Sequence, residues 1–230
     1  MALSGVIFDF DGVLADSEPL HLRAFQQALA PRRITLESAE YYERYLGFDD
    51  AGVFRALADD GGWALTEAAL AELIAMKGEY FEALVHQGAA LFPGAADAVR
   101  RIADEVPIAI ASGALRSEIE MLLSATDLRQ YFADIVASGD TPRSKPAPDP
   151  YAKAVDLLRG STIAAGLDPN GCFVAIEDSN WGIESARAAG LRCIGIAHTY
   201  PADMLHGADT VLPSIDCLDI DAARIVCQRS

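Results

Sequence analysis

The amino-acid sequence predicts an α/β protein in which a Rossmann-like parallel sheet core is interrupted by an inserted α-helical cap. Two observations predict this fold. Only helical patterns occur between residues 17 and 91, whereas from residue 92 onward short apolar runs alternate with amphipathic segments. Strands that alternate with helices indicate βαβ units, whose parallel strands are buried on both faces. We therefore assign residues 1–16 and 92–230 to the core and residues 17–91 to the cap.

The first strand and the cap helices come earliest in the chain. An apolar run at residues 5–8 predicts a short buried strand. Apolar residues then recur near the 3.6-residue helical period. The predicted cap helices cover residues 19–30, 36–45, 50–60 and 66–86.

The remaining strands are predicted from five apolar runs, PIAIAS, DIVAS, FVAIED, CIGIAH and TVLP. Helical patterns precede or separate these runs, as a βαβ arrangement requires. The pair Gly160-Ser161 predicts a loop after one of these helices. The predicted core helices cover residues 95–104, 117–124, 150–158 and 183–189.

Composition narrows the classes of partner. The 230 residues carry a formal charge of −16, from 18 Lys plus Arg against 34 Asp plus Glu, so the surface would repel a nucleic acid. No apolar run approaches the roughly 20 residues of a membrane span, and residue 1 opens directly onto a strand without a signal-peptide pattern. We expect a cytoplasmic protein, a monomer or homodimer, with no nucleic-acid or membrane partner.

The cysteines all lie in the last quarter of the chain, and none forms a C-x-x-C pair. This pattern favours small buried hydrophobic residues over a zinc site or a disulfide. The four cysteines are Cys172, Cys193, Cys217 and Cys227.

Polar residues follow four of the predicted strands. In open α/β sheets ligands bind outside the carboxyl ends of the strands, so groups in these positions gather at one edge. The residues concerned are Asp9 and Asp11, Ser112 and Gly113, Lys145, and Glu177 and Asp178.

Each of these residues also has a simple structural explanation. Ser112 alone is typical of a helix N-cap or a turn, and Lys145 alone of a solvated loop. Glu177 and Asp178 are favourable at the start of a following helix. Together, however, four acids at one sheet edge would repel one another unless a cation lies among them. Mg²⁺ binds carboxylates together with substrate phosphate, so the four acids are candidate ligands of a magnesium site.

The same residues suit phosphoryl transfer. A lysine, a serine hydroxyl and the backbone N–H groups beside Gly113 can hold phosphoryl oxygens next to a metal ion. Two aspartates in a turn can divide the chemistry, because one can attack phosphorus and form an aspartyl-phosphate. The other can protonate the leaving alkoxide and later accept a proton from water. The sequence therefore predicts hydrolysis or transfer of a phosphoryl group.

This assembly resembles the haloacid dehalogenase superfamily. The matching segments are DFDGV at 9–13, IASG around Ser112, SKPAPDPY around Lys145 and IEDSNWGIESARAAG around Glu177 and Asp178. The resemblance implies a helical cap of the C1 type, with Asp9 as nucleophile and Asp11 as general acid and base. It also implies that Asp9, the Asp11 backbone carbonyl and Asp178 hold Mg²⁺.

Within that superfamily, DSEPLHLRAF resembles the subgroup of β-phosphoglucomutase and related sugar-phosphate phosphatases. The resemblance implies that His21 and Lys77 contact the substrate, although His21 could instead be a helix-surface histidine packed against the core. The mutase has an arginine after a glycine where this chain has Gly47 followed by Phe48, Asp49 and Asp50.

Acids in that place would repel a second phosphate. We therefore expect a phosphatase of a small, monophosphorylated metabolite. A phosphosugar mutase and a non-catalytic phosphate-binding protein remain as alternatives.

Overall fold

The computed structural model describes residues 1–45, 48–86 and 91–228. The chain divides into two compact units, Met1–Asp16 with Ala90–Ser230 (the sheet unit) and Ser17–Ala89 (the helical unit). Gly47, part of the comparison with the mutase, lies outside the described residues.

The sheet unit contains six parallel strands in the order β3-β2-β1-β4-β5-β6. The α/β class with a parallel sheet, predicted from the sequence, is confirmed. The strands are β1 Leu3–Phe8, β2 Ile108–Ala111, β3 Phe132–Val136, β4 Cys172–Glu177, β5 Arg192–Ile196 and β6 Thr210–Leu212.

Most helices lie within a few residues of their predicted positions, but Ile220–Gln228 was not predicted. Among the described residues, no helix is both long and apolar enough to span a bilayer. The helices are α1 Glu18–Leu29, α2 Ser38–Glu40 continuing as a π-helix over Tyr41–Tyr45, α3 Asp50–Gly61, α4 Glu67–Val85, α5 Ala95–Ala103, α6 Arg116–Ser124, α7 Asp149–Ala164, α8 Asn180–Ala188 and α9 Ile220–Gln228.

The centre of the sheet determines where polar residues can gather. Every residue of β1, β2 and β4 is buried, as expected for parallel strands covered on both faces. Phe8 of β1 pairs with Ile110 of β2 on one side and Ile176 of β4 on the other. After β1 the chain forms β2 and β3 on one side of that strand, and it later forms β4 on the other side. Residues that follow β1, β2 and β4 therefore lie at the switch point where such sheets bind ligands.

The loop predicted at Gly160-Ser161 is wrong, because α7 continues through both residues to Ala164. Thr162 explains the extension: its side chain is fully buried, and its hydroxyl donates to the carbonyls of Leu158 and Ser4. Packing of this turn against β1 outweighs the low helix propensity of glycine.

The prediction for the cysteines is partly wrong. Cys193 is buried and free, as expected, but Cys217 is exposed, and Cys172 forms a disulfide with Cys227. The disulfide joins the first residue of β4 to α9, which packs against that strand. Because the two cysteines are 55 residues apart, their proximity depends on the tertiary fold and no sequence spacing reveals it.

The helical unit packs its helices around an apolar core that includes Phe25, Phe54 and Leu73. Side chains define where two of the helices begin. Asp49 accepts a hydrogen bond from the Gly52 N–H (2.7 Å) at the start of α3, and Thr66 caps α4 in the same way. These N-caps satisfy backbone donors that lack partners inside the helix.

Candidate active site

The first part of the site is a tight turn that follows β1. The Asp9 N–H donates to the Ile176 carbonyl (2.9 Å), so the sheet ladder continues up to the first aspartate. Gly12 then adopts a left-handed conformation (φ +77°), and a Cβ there would overlap the Asp178 carboxylate. Only glycine fits this turn, which carries the partly exposed Asp11 past the end of the strand.

Lys145 lies between two carboxylates. Its Nζ is 2.9 Å from Asp9 Oδ1 and 2.6 Å from Glu177 Oε1. The Tyr151 hydroxyl donates to the same Glu177 oxygen (2.8 Å), and the ammonium of Lys145 lies over the Tyr151 ring. Glu177 and Tyr151 therefore hold the lysine against Asp9.

The other oxygen of Glu177 is also occupied. Oε2 accepts hydrogen bonds from the N–H groups of Asp178 and Ser179 and from the Ser179 hydroxyl. The Ser179 hydroxyl in turn accepts from the Gly182 N–H and caps α8. Hydrogen bonds of this kind offset the cost of burying the Glu177 carboxylate.

Asp178 completes a cluster of three carboxylates. Its Oδ2 accepts a hydrogen bond from the Thr199 hydroxyl. Asp9, Glu177 and Asp178 each offer an oxygen that lies within 4.8 Å of the others. A set of hard oxygen donors at this spacing is the kind that Mg²⁺ prefers.

The electrostatics of the cluster follow from burial and crowding. Burial raises the pKa of Asp9 to about 7. The Lys145 ammonium opposes this rise, whereas the charges of Glu177 and Asp11 contribute to it. Burial together with Asp9 and Glu177 raises the pKa of Asp178 to about 8. Burial alone would lower the pKa of Lys145, but Asp9 and Glu177 outweigh it and hold that pKa above its usual value. The raised pKa values of Asp9 and Asp178 reflect the crowding of carboxyl groups around one ammonium, and a bound cation would favour their charged forms.

Ser112 and Gly113 follow β2 and lie beside the lysine. Ser112 is buried, its N–H donates to the Val136 carbonyl, and its hydroxyl accepts from the Ala114 N–H (3.1 Å). A small pocket of about 60 Å³ has Ser112, Gly113 and Lys145 in its wall. The structure therefore brings Asp9, Ser112, Lys145, Glu177 and Asp178 together at one edge of the sheet.

The helical unit holds the remaining predicted residues. Lys77 is 1% exposed, and its Nζ lies 2.8 Å from both Asp50 Oδ1 and His21 Nδ1. The Lys77 ammonium also lies over the rings of Phe25 and Phe81. Burial is the main cause that lowers the pKa of His21 to about 3, and the positive charge of Lys77 contributes. The imidazole is therefore neutral, and its Nδ1 accepts a hydrogen bond from the Lys77 ammonium.

The two acids that distinguish this chain from the mutase have local partners. Asp49 caps α3, and Asp50 forms an ion pair with Lys77. The negative charge of Asp50 is therefore offset within the helical unit, which weakens the argument that it would repel a second phosphate.

Three residues around the carboxylates were not predicted. Tyr151 bonds Glu177, Thr199 bonds Asp178, and His198 Nδ1 lies 3.0 Å from the Gly12 carbonyl oxygen. Tyr151 lies in the same SKPAPDPY segment as Lys145, and His198 and Thr199 follow β5. Listing the residues after every strand, including β5, would have found the last two.

The sheet topology and the polar groups at its carboxyl edge define an α/β enzyme class, and comparison with known proteins agrees. A sequence model of the haloacid dehalogenase-like hydrolases matches residues 6–196, so the chain belongs to this family.

Two similar curated relatives are the protein CbbY of Rhodobacter capsulatus and a phosphoglycolate phosphatase of Yersinia pestis. CbbY is 31% identical, over 94% of this chain and 95% of the relative. The phosphatase is 32% identical, over 86% of this chain and 83% of the relative.

A similar solved structure is that of a CbbY variant from Rhodobacter sphaeroides in complex with xylulose-(1,5)bisphosphate. It is 27% identical, has a TM-score of 0.75, and the match covers 95% of this chain and 96% of that one. The family match and the phosphatase relative support the predicted enzyme class, a phosphoric monoester hydrolase of this family.

Proposed function

We propose that the chain is a Mg²⁺-dependent phosphatase that hydrolyses a small phosphorylated metabolite through an aspartyl-phosphate on Asp9. The observation that carries this proposal is the position of Asp9 at the end of β1. One of its oxygens bonds Lys145, and its carboxylate lies in the cluster with Asp178. A nucleophile beside a lysine and a cation site has the parts that phosphoryl transfer needs.

The donor set fits Mg²⁺. Asp9, Asp178 and the Asp11 backbone carbonyl would hold the ion, which would supply positive charge against the phosphoryl oxygens. Both oxygens of Glu177 already accept hydrogen bonds, so we assign Glu177 to the positioning of Lys145 rather than to the ion.

The chain's own residues then divide the reaction. Asp9 attacks phosphorus, and the ester oxygen leaves with its bonding electrons and takes a proton from Asp11. Lys145, Ser112 and the N–H of Gly113 bind the phosphoryl oxygens. Asp11, now a carboxylate, accepts a proton from water, and the resulting attack on phosphorus frees Asp9 and releases phosphate.

The substrate is proposed as a class. The relatives include a phosphoglycolate phosphatase and a CbbY that binds a pentulose bisphosphate, so a small phosphorylated acid or sugar is the natural candidate. We propose that His21 and Lys77 contribute to substrate choice, and that the enzyme is a cytoplasmic monomer or homodimer without nucleic-acid or membrane partners.

The roles of the two aspartates are tested by Asp9→Asn and Asp11→Asn with p-nitrophenyl phosphate. This ester has a leaving group that needs little protonation, so the Asp11 variant should release a burst of p-nitrophenol. Its later turnover should be slower by roughly 10²–10⁴-fold, because water attack lacks its base. The Asp9 variant should show neither phase. A burst from Asp9→Asn would reverse the assignment.

The metal is tested by titration of the chelator-treated protein. Turnover should require Mg²⁺, and Ca²⁺ should inhibit because it takes more ligands at longer distances. Full turnover in excess chelator would refute the magnesium site.

A substrate panel separates phosphatase from mutase. Phosphate release from phosphoglycolate, xylulose 1,5-bisphosphate and hexose monophosphates should exceed any conversion of β-glucose 1-phosphate into glucose 6-phosphate. Efficient isomerisation with little phosphate release would establish the mutase alternative.

A further inference from the structure

The segment that follows β5 reaches two separate parts of the carboxylate cluster. Its residues His198 and Thr199 contact the turn after β1 and the carboxylate after β4, respectively. The neighbouring Ala197 N–H donates to the Leu212 carbonyl (2.9 Å), which keeps the start of the segment in the sheet ladder beside β6. The segment is therefore anchored on a buried strand before it meets the site.

Thr199 fixes one oxygen of Asp178. Its hydroxyl donates to Oδ2, so the carboxylate cannot rotate without losing that hydrogen bond. The same hydroxyl lies only 2.8 Å from the point that a Cβ on Gly12 would occupy. Thr199 thus packs against the turn while it bonds the carboxylate.

His198 holds the turn itself. Its Nε2 accepts from the Ile215 N–H (3.2 Å), so Nδ1 carries the ring proton and donates to the Gly12 carbonyl (3.0 Å). The ring stacks on Phe92 with centroids 3.9 Å apart. These three contacts fix the imidazole. Through the hydrogen bond to the Gly12 carbonyl, the imidazole in turn fixes the turn that contains Asp11 and Gly12.

We infer that His198 and Thr199 are positioning residues that set the geometry of the cation site. Thr199 orients Asp178, and His198 orients the turn whose Asp11 carbonyl is a proposed ligand. The inference rests on the proposed function, because it concerns the Mg²⁺ site of the same reaction. Groups that orient metal ligands typically affect metal affinity by 10–100-fold.

Thr199→Val tests the first contact, with Thr199→Ser as the matched variant that keeps the hydroxyl. Mg²⁺ binding is measured by calorimetry on the chelator-treated full chain, without substrate. The Val variant should bind Mg²⁺ at least about 10-fold more weakly, and the Ser variant close to the natural chain. Thr126→Val is the control, because it removes a hydroxyl that bonds backbone carbonyls of α6. It should leave Mg²⁺ affinity unchanged.

His198 is tested by a pair of opposite substitutions. His198→Phe keeps the stack on Phe92 and removes the hydrogen bond to Gly12. His198→Asn loses the stack but places an amide N–H where Nδ1 lies. If the hydrogen bond matters, the Phe variant loses Mg²⁺ affinity and the Asn variant regains it. If only packing matters, the order is reversed and the inference for His198 is overturned.

The outcomes distinguish this inference from the proposed function. Tight Mg²⁺ binding by the natural chain and equal binding by Thr199→Val would overturn the role of Thr199 and leave the phosphatase intact. Absence of Mg²⁺ binding by the natural chain would overturn both. The inference is supported if Thr199→Val and His198→Phe bind Mg²⁺ more weakly than the natural chain, while Thr199→Ser and His198→Asn bind it nearly as tightly.

Discussion

Lys77 of the helical unit is buried and Lys145 of the sheet unit is partly buried, with 13% of its side chain exposed, but their surroundings differ. Lys145 lies against Asp9 and Glu177 with Asp178 nearby, so three carboxylates share one ammonium. Among the described contacts, Lys77 pairs with the Asp50 carboxylate and meets the neutral His21 imidazole and the faces of Phe25 and Phe81.

The comparison shows that burial of a lysine does not by itself mark a reaction centre. Around Lys77 the described ion pair sets one ammonium against the Asp50 carboxylate. Around Lys145 three carboxyl groups crowd one ammonium, which favours binding of a further cation and of a phosphoryl group brought with it. The cluster of three carboxyl groups is the feature that marks the surroundings of Lys145.

The largest effect should follow from Lys145→Met. Loss of the ammonium beside Asp9 should lower kcat for p-nitrophenyl phosphate by roughly 10²–10³-fold, as removal of one electrostatic stabiliser does. Lys77→Met should act mainly on KM for the substrate found by the panel. Lys153→Met is the control in the sheet unit, since the hydrogen bond that Lys153 makes within the described part of the chain goes to the Asp140 carbonyl. An equal loss of kcat from Lys145→Met and Lys77→Met would remove the distinction drawn above.

Asp50→Asn tests the ion pair of Lys77. The change removes the carboxylate that lies 2.8 Å from the buried Lys77 ammonium. It should lower the free energy of unfolding by about 3 kcal/mol, the lower end for a broken buried pair, because Asp50 is 30% exposed. Urea unfolding followed by Trp63 fluorescence in a Trp181→Phe background measures this in the helical unit. A loss below about 1 kcal/mol, as for an exposed pair, would show that Asp50 contributes little to the stability of the buried Lys77 ammonium.

His21 gives the helical unit a dependence on pH. Its pKa is about 3 in the folded chain and about 6.5 when unfolded, so below pH 6.5 the unfolded chain binds a proton that the folded chain does not. Stability should therefore be complete above pH 6.5 and fall as the pH drops toward 3, by about 2 kcal/mol at pH 5.

The Trp63 signal measures this loss as well. His21→Gln should remove most of the pH dependence. His86→Gln, which removes an exposed imidazole of the same unit, should retain it. A slope that survives in His21→Gln would assign the titration to other groups.

The smallest effect should come from Asp49→Ala. Asp49 neighbours Asp50 but is the N-cap of α3, so its loss should cost about 1 kcal/mol. Asp49→Ser should restore most of that loss, since serine also caps helices. A cost for Asp49→Ala equal to that of Asp50→Asn would mean that both acids serve the lysine.

The sequence predicted the sheet edge well because each strand delivers its own polar group. Asp9, Ser112 and Glu177 directly follow or end apolar runs, and parallel strands place such residues at one edge whatever their separation in the chain. Family motifs then supplied their roles. The helices with strong apolar periodicity were predicted for the same reason, since periodicity is a local property.

What the sequence did not reveal depends on distant contacts. The disulfide requires Cys227 on α9 to meet Cys172 on β4. Gly160 is helical because Thr162 is buried against the carbonyl of Ser4. The ion pair of Asp50 with Lys77 joins two helices whose packing no local pattern specifies.

The pairing of β1 with β4 also has a consequence for synthesis of the chain. β1 ends at Phe8 and β4 begins at Cys172, so the first strand is made long before the neighbour that carries Glu177 and Asp178. At ordinary translation rates the roughly 160 residues between them take on the order of ten seconds. Throughout that time one edge of β1 has no strand to pair with, and an exposed apolar edge invites aggregation. The nascent chain is therefore most in need of a chaperone before β4 leaves the ribosome, and Asp9 meets Asp178 only afterwards.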